Sequence, residues 1–297
     1  MGEGESGAKS VRAWGGEAKP DSKRNMSVEM QFGARSDVGC VRGNNEDSFR
    51  VAPEMNLFVL SDGMGGLASG EIASRLSVDT VVKHCGGALA NPSLPLLGKR
   101  IDGISETSNR LASAIRLANQ AVRDAAKERG TEGRMGATLA AARVEGERLS
   151  IAHVGDSRIY RLRNGGFERL TRDHSFVAEQ MLHGRMTAEE ASSSALQSVL
   201  IRAIGIEPEV DVDANDELLM EGDTVLLCSD GLTRELSDEQ IAGVLGENAD
   251  AQKAADALVE LAKQAGGGDN ITVIVVRCSP KPVGAFARIS RWFRDSA

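Results

Sequence analysis

The apolar run Phe58-Val59-Leu60-Ser61-Asp62 stops in an acid and then meets three glycines, Gly63, Gly65 and Gly66, within four residues. Consecutive apolar residues bounded by turn formers read as a buried strand. Asp62 therefore stands where a core strand emerges, beside backbone that a ligand can approach without meeting a Cβ. One such exit is ordinary turn chemistry. Here it recurs: Val225-Leu226-Leu227-Cys228-Ser229-Asp230-Gly231 closes another apolar strand in the same Ser-Asp-Gly. A chain with two such strands must fold so that both acid-bearing ends have somewhere to go.

The remaining pattern says what kind of fold that is. Period-two alternation marks strands at Met30–Arg35 and Ser48–Ala52, joined by the polar loop 42–47. Helical spacing predicts a helix over Glu71–Cys85, ended by Gly86-Gly87, and a longer one over Glu106–Glu128. Strands follow at 137–144, 149–154, 158–163 and 167–170, linked by the hairpin turns Glu-Gly-Glu and Asn-Gly-Gly. Residues 173–204 are polar, serine-rich and weakly helical, which suits a flap better than a core element. Strands are expected again at 217–220 and 224–229. Two helices follow, the first opened by the capping box Ser237-Asp238-Glu239-Gln240, and the last strand is Ile271–Val276. Its continuous β-branched run calls for burial on both faces. Strands in antiparallel runs with helices grouped in pairs indicate an α+β fold, in one domain.

Composition excludes several functions. With 43 acids against 35 lysines and arginines and a net charge of -8, the chain has no basic block to track a phosphate backbone, so nucleic acid is not its partner. The four cysteines, Cys40, Cys85, Cys228 and Cys278, are scattered without a Cys-x-x-Cys pair and read as reduced thiols. No apolar stretch approaches the ~20 residues a membrane helix needs, and the first 27 residues carry no apolar leader, so the expected compartment is the cytoplasm. Residues 1–27, mixed in charge and nearly free of apolar groups, are expected to be a disordered extension.

Five aspartates, Asp47, Asp62, Asp156, Asp230 and Asp269, fall at predicted strand ends or in tight turns. Brought into one cleft, they could not all stay ionised without a cation. Oxygen donors with no convergent His or Cys suit magnesium or manganese (Mg2+ or Mn2+) rather than zinc. His153 and His174 are isolated and read as structural contacts. A pair of such ions turns water into a nucleophile and neutralises the charge that develops in displacement at phosphorus. Phosphate-monoester hydrolysis needs enhancements of up to ~10²¹-fold, far beyond the ~10²–10⁴ of one acid–base pair, so a multi-cation site matches that reaction. Arg42, on the loop that leads to Asp47, is the candidate clamp for the phosphate.

The motifs Arg42-Gly43-Asn44-Asn45-Glu46-Asp47, Ser61-Asp62-Gly63-Met64-Gly65-Gly66, Gly136-Ala137-Thr138, Gly155-Asp156-Ser157-Arg158, Leu170-Thr171-Arg172-Asp173-His174-Ser175, Ser229-Asp230-Gly231 and Gly268-Asp269-Asn270 occur in an order that resembles the bacterial type 2C (PPM) metal-dependent protein phosphatases. The resemblance covers about residues 32–276. It implies a four-layer α/β/β/α sandwich: two antiparallel β-sheets with a helix pair packed on each outer face. It also implies roles. Asp47 would bridge two ions, Asp62 and the Gly63 carbonyl would hold the first, and Asp230 with Asp269 the other. Glu46 would act through a water, Asp156 with Asp230 would form a third, weaker site, and Arg42 would take the phosphate. Met64 stands where animal members carry a histidine, which leaves a metal-bound water as the expected proton donor.

The implied activity is hydrolysis of phosphoserine and phosphothreonine in proteins, opposing a Ser/Thr kinase, by a monomeric catalytic domain spanning 28–279. The alternative is a catalytically silent phosphoprotein-binding module on the same fold. Calcium sensing does not fit, since the acids lack the twelve-residue loop spacing. In the tail, 280–297, Val283, Phe286, Ile289, Trp292 and Phe293 share one half of a helical wheel and Arg288, Arg291 and Arg294 the other. That pattern predicts an amphipathic helix for a partner or a membrane surface.

Overall fold

The computed structural model describes residues 28–66 and 69–280. The extension 1–27 and all but the first residue of the predicted tail lie outside them. Among the described residues, eleven strands form two sheets. One contains β1 (Val28–Asp37), β7 (Arg158–Arg163), β8 (Gly166–Arg169), β10 (Thr224–Cys228) and β11 (Ile271–Pro280), in the order β1-β11-β10-β7-β8. The other contains β2 (Asp47–Ala52), β3 (Leu57–Met64), β5 (Leu139–Glu145), β6 (Arg148–Val154) and β9 (Asp213–Leu218), in the order β2-β3-β5-β6-β9, with the short β4 (Gly136–Ala137) paired to the end of β3. Every pairing is antiparallel.

Strand alternation builds three apolar layers from these two sheets. Along β3, Phe58 and Leu60 point between the sheets while Leu57 and Val59 face the helices outside. On β11, Ile274 and Val276 join the inner layer, and Val273 and Val275 face outward. Both faces of each sheet are thus covered, which is why β11 tolerates no polar alternation. The outer covers are α1 (Ser69–Ala90) with α2 (Glu106–Arg129) on one side, and α6 (Asp238–Glu247) with α7 (Ala251–Ala265) on the other. This is the α/β/β/α sandwich implied by the resemblance.

Helix ends follow local chemistry. Ser105 caps α2 by accepting from Ser108 N, and Gly130 ends it in the left-handed region at φ 65°. Ser237 and Gln240 form the predicted capping box on α6. The predicted stop at Gly86-Gly87 does not occur, and α1 runs through both glycines to Ala90. A glycine terminates a helix by taking positive φ, and neither of these does. Continuing instead lets Ala88 be buried.

One further departure comes from tertiary context. Strand β9 starts at Asp213, four residues before its predicted start. Its polar residues serve the neighbours: Asp216 accepts from the hydroxyls of Ser105, Ser108 and Ser150, so charge marks a strand edge that hydropathy does not. The flap holds two short helices, α3 (Phe176–Leu182) and α4 (Ala188–Ser192). A bridge at Ser175–Leu200 closes its base and one at Ala137–Ile204 ties it to the body, while Met181 and Leu182 remain exposed. No helix among the described residues is long and apolar enough to cross a membrane.

Candidate active site

Two strand pairs, one from each sheet, present their acids at the same end of the sandwich. Asp47 opens β2 and lies directly opposite Asp62 on β3. Asp230 follows β10 as the first residue of the one-turn helix α5 (Asp230–Thr233), and Asp269 precedes β11, the strand paired with β10. The connection from β6 to β7 crosses from one sheet to the other and carries Asp156. Arg42, Glu46, Asp62, Gly63, Asp156, Asp230 and Asp269 all line one cleft of about 400 Å³, and Met64 lies on its wall. Asp47 is buried beneath it, its Oδ2 accepting from Ser229 Oγ at 2.8 Å.

Close approach explains the glycines. A Cβ on Gly63 would come within 2.7 Å of the Glu46 carbonyl, to which the Gly63 N–H already donates. At Gly70, on the first turn of α1, a Cβ would collide with the Glu46 carboxylate, so that side chain is packed against a helix start. Asn270 fixes the opposite wall. It accepts from Glu46 N at 2.8 Å and donates to the carbonyls of Val38 and Asn44 at 3.0 and 2.9 Å. Thr138 accepts from Asp62 N at 2.9 Å and shares a 2.7 Å hydrogen bond with Ser157, tying the Asp62 backbone to the turn that bears Asp156.

Electrostatically the cleft is under strain. Burial pushes Asp47 up to about 7, and the nearby Asp230 and Asp269 add to it, against hydrogen bonds from Thr272 and Ser229. Asp156 is likewise pushed up to about 7, first by burial and then by Asp230 and Asp173. Asp62 is held well above the carboxylate range by burial and by Asp47, and burial raises Asp230 and Glu46. Asp230 adds to the upward push on Asp62, as expected of two like charges in one cleft. Asp47 Oδ1 and Asp230 Oδ1 are buried with no hydrogen-bond partner among the described residues. Unpaired carboxylate oxygens in such a place are costly, and a hard divalent cation is the partner their chemistry fits.

Two guanidiniums close the mouth. Arg42 Nη2 reaches Asp269 Oδ2 at 2.8 Å, and its side chain is 55% exposed. Arg234 was not singled out from sequence. Its Nη1 lies 3.1 Å from the same Asp269 oxygen, and its Nη2 contacts Asp230 Oδ2. Its spacing of four from Asp230 on a short helix is the signal that would have found it.

His153 and His174 fall outside this cleft and stack on each other at 4.7 Å. With Asp213 they bring three potential ligand atoms within 4.8 Å of one another. A cation is already there: Arg202 Nη1 lies 2.7 Å from Asp213 Oδ1 and 3.1 Å from His174 Nε2. His174 Nδ1 accepts from Gly155 N, which places the proton on Nε2, 3.3 Å from Asp213 Oδ2. His153 Nε2 bonds the Arg172 carbonyl at 2.9 Å. The group works as a fully partnered clasp at the base of the flap.

Comparison with known proteins gives concordant matches. A family model described as Protein phosphatase 2C matches residues 42–265. The serine/threonine protein phosphatase PstP of Mycobacterium tuberculosis is 39% identical over 257 residues, covering 84% of this chain but 45% of PstP, so the chain spans less than half of that relative's length. Protein phosphatase PhpP of Streptococcus pneumoniae is 31% identical over 250 residues, covering 83% of this chain and 97% of PhpP. Among solved structures, the catalytic domain of PstP in complex with two manganese ions matches with a TM-score of 0.70 and 36% identity, covering 85% of this chain and 99% of that one.

Proposed function

The chain belongs to the protein phosphatase 2C family, and on that footing we propose that it hydrolyses phosphoserine and phosphothreonine esters in proteins, using manganese or magnesium. The observation that carries this is the pair of orphaned, buried oxygens on Asp47 and Asp230, in a cleft where Asp47, Asp62, Asp156 and Asp230 are pushed toward protonation. Asp47, Asp62 and Asp230, with Asp269 and the Gly63 carbonyl, supply an oxygen-only set suited to two ions. Asp156 with Asp230 supplies a third, weaker position. Bound there, the ions lower the pKa of water and offset the negative charge that builds on the phosphoryl group.

The chain's own residues do the rest. Glu46, packed against the start of α1, orients water at the cleft wall. Arg42 stands at the mouth, exposed enough to swing from Asp269 to a phosphate and clamp two of its oxygens. Met64 offers no proton, so the leaving alkoxide takes its proton from water held in the cleft.

The substrates are phosphorylated proteins, a Ser/Thr kinase of the same cell among them, and the catalytic domain, 28–279, acts as a cytoplasmic monomer. Its tail, read from sequence, serves partner or membrane contact. Removing 281–297 leaves aryl phosphate hydrolysis near normal and alters partner or vesicle binding; loss of small-substrate turnover in a folded truncation would contradict that reading. The activity itself is tested by manganese-dependent hydrolysis of an aryl phosphate and a phosphoserine peptide, abolished by chelator. Metal binding without turnover would instead support the silent binding module.

A further inference from the structure

Beside the acid cleft lies a second cavity, of about 590 Å³, between helix α3 of the flap and the body. Asp156, Asp230 and Arg234 line both, so one ligand can reach from one into the other. Its polar wall gathers four arginines, Arg158, Arg169, Arg172 and Arg234, against the three aspartates Asp156, Asp173 and Asp230, an excess of positive charge that is unexpected in a chain with a net charge of -8. Two of the arginines are already committed. Arg158 makes a two-pronged pair with Asp173, at 3.0 Å from Nε and 2.7 Å from Nη2, and Arg234 is held by Asp230 and Asp269. The other two are not. Arg169 has a single 3.4 Å contact with the already engaged Asp173, and Arg172 is exposed, with no hydrogen-bond or ion-pair partner for its side chain among the described residues. The Arg172 backbone is nonetheless fixed, because its carbonyl is bonded by the buried His153. Opposite them, exposed Met181 and Leu182 of α3 form an apolar wall.

From this arrangement we infer that the cavity is a subsite for acidic side chains of the substrate polypeptide, with Arg169 and Arg172 receiving a glutamate or aspartate that flanks the phosphoresidue. The inference rests on the phosphatase reading of the neighbouring cleft. Charge complementarity selects the occupant: free guanidiniums beside an apolar wall accommodate a carboxylate and the aliphatic stem that carries it. A neutral or basic flanking sequence leaves Arg172 unpaired and Arg169 with only its 3.4 Å contact to Asp173, and gains nothing.

The test uses the manganese-loaded full chain and a panel of phosphoserine peptides. Each is neutral in its flanks or carries a glutamate pair stepped along either side. At some position the glutamates raise kcat/KM about fivefold through KM, as two exposed ion pairs should. The gain disappears at high salt and in the R169Q/R172Q variant, where the ratio of acidic to neutral peptide returns to about one. Uniform kcat/KM across the panel, or a preference that survives in R169Q/R172Q, overturns the subsite while leaving the phosphatase reading intact. If no peptide is turned over, the phosphatase reading fails, and fluorescence anisotropy with the dephosphorylated peptides decides the subsite alone: tighter binding of acidic peptides, lost in R169Q/R172Q, supports it, and equal binding rejects it.

Discussion

Two groups of buried ionisable side chains sit at neighbouring positions in this domain and are finished in opposite ways. Around His153 and His174, the charged groups meet partners supplied by the protein: Arg202 pairs with Asp213, Gly155 donates to one ring, and the other bonds the Arg172 carbonyl. In the acid cleft, like charges face one another, and one oxygen each of Asp47 and Asp230 has no hydrogen-bond partner among the described residues. Burial alone therefore does not mark function. A polar group buried and satisfied holds structure together, whereas one buried and left unsatisfied awaits a partner from outside the chain.

The largest effect that can test this contrast is on turnover. Asp47→Asn and Asp269→Asn are each expected to lower turnover of a phosphopeptide by at least ~10³-fold, about 4 kcal/mol of barrier, in saturating manganese. Steady-state kinetics beside circular dichroism checks it, since both variants should fold. A variant with near-normal turnover would place that acid outside the chemistry.

Acidity should move the two groups in opposite directions. Burial depresses His153 to about 4, so between pH ~6.5 and 4 the unfolded chain takes up a proton that the folded chain refuses. Stability is lost as pH falls through that window, by roughly 3 kcal/mol at its lower end. In the cleft the sign reverses. With Asp47 and Asp156 raised to about 7, the metal-free protein loses stability as pH climbs from their ordinary range toward 7. Denaturant unfolding of wild type against His153→Gln, each in the same metal state, isolates the histidine part. A wild-type stability, relative to His153→Gln, that does not fall as pH drops below 6.5 would mean His153 is protonated in the native state.

Smaller still is the effect of single neutralisations on the metal-free fold. Asp62→Asn relieves repulsion and should stabilise by about 1 kcal/mol, a rise of about 2–4 °C in Tm. Asp213→Asn breaks a satisfied pair and should destabilise by about 1 kcal/mol. Differential scanning of metal-free protein reads both, and the same sign for the two would erase the distinction between the regions.

The acid cleft was legible in sequence because strand ends announce themselves: apolar runs closing in Asp-Gly, with glycines beside Asp62 where a ligand must approach the backbone. Layering was legible through the double-sided apolar run of β11. What escaped notice depends on through-space partners. Strand β9 is disguised by acids that serve the hydroxyls around the start of α2. Helix α1 outlasts two glycines because Ala88 finds a core to enter. Arg234 reads as an ordinary helix charge until the fold brings Asp269 to it.

The central claim is that the unsatisfied acids are a divalent-cation site with unequal members, and a calorimetric manganese titration of wild type, Asp47→Asn and Asp156→Ala tests it most directly. The account predicts tight binding in wild type, its loss in Asp47→Asn, and its retention in Asp156→Ala, which gives up only the weaker outer ion and about tenfold in phosphoprotein turnover. Tight manganese binding that persists in Asp47→Asn, or vanishes in Asp156→Ala, would contradict it.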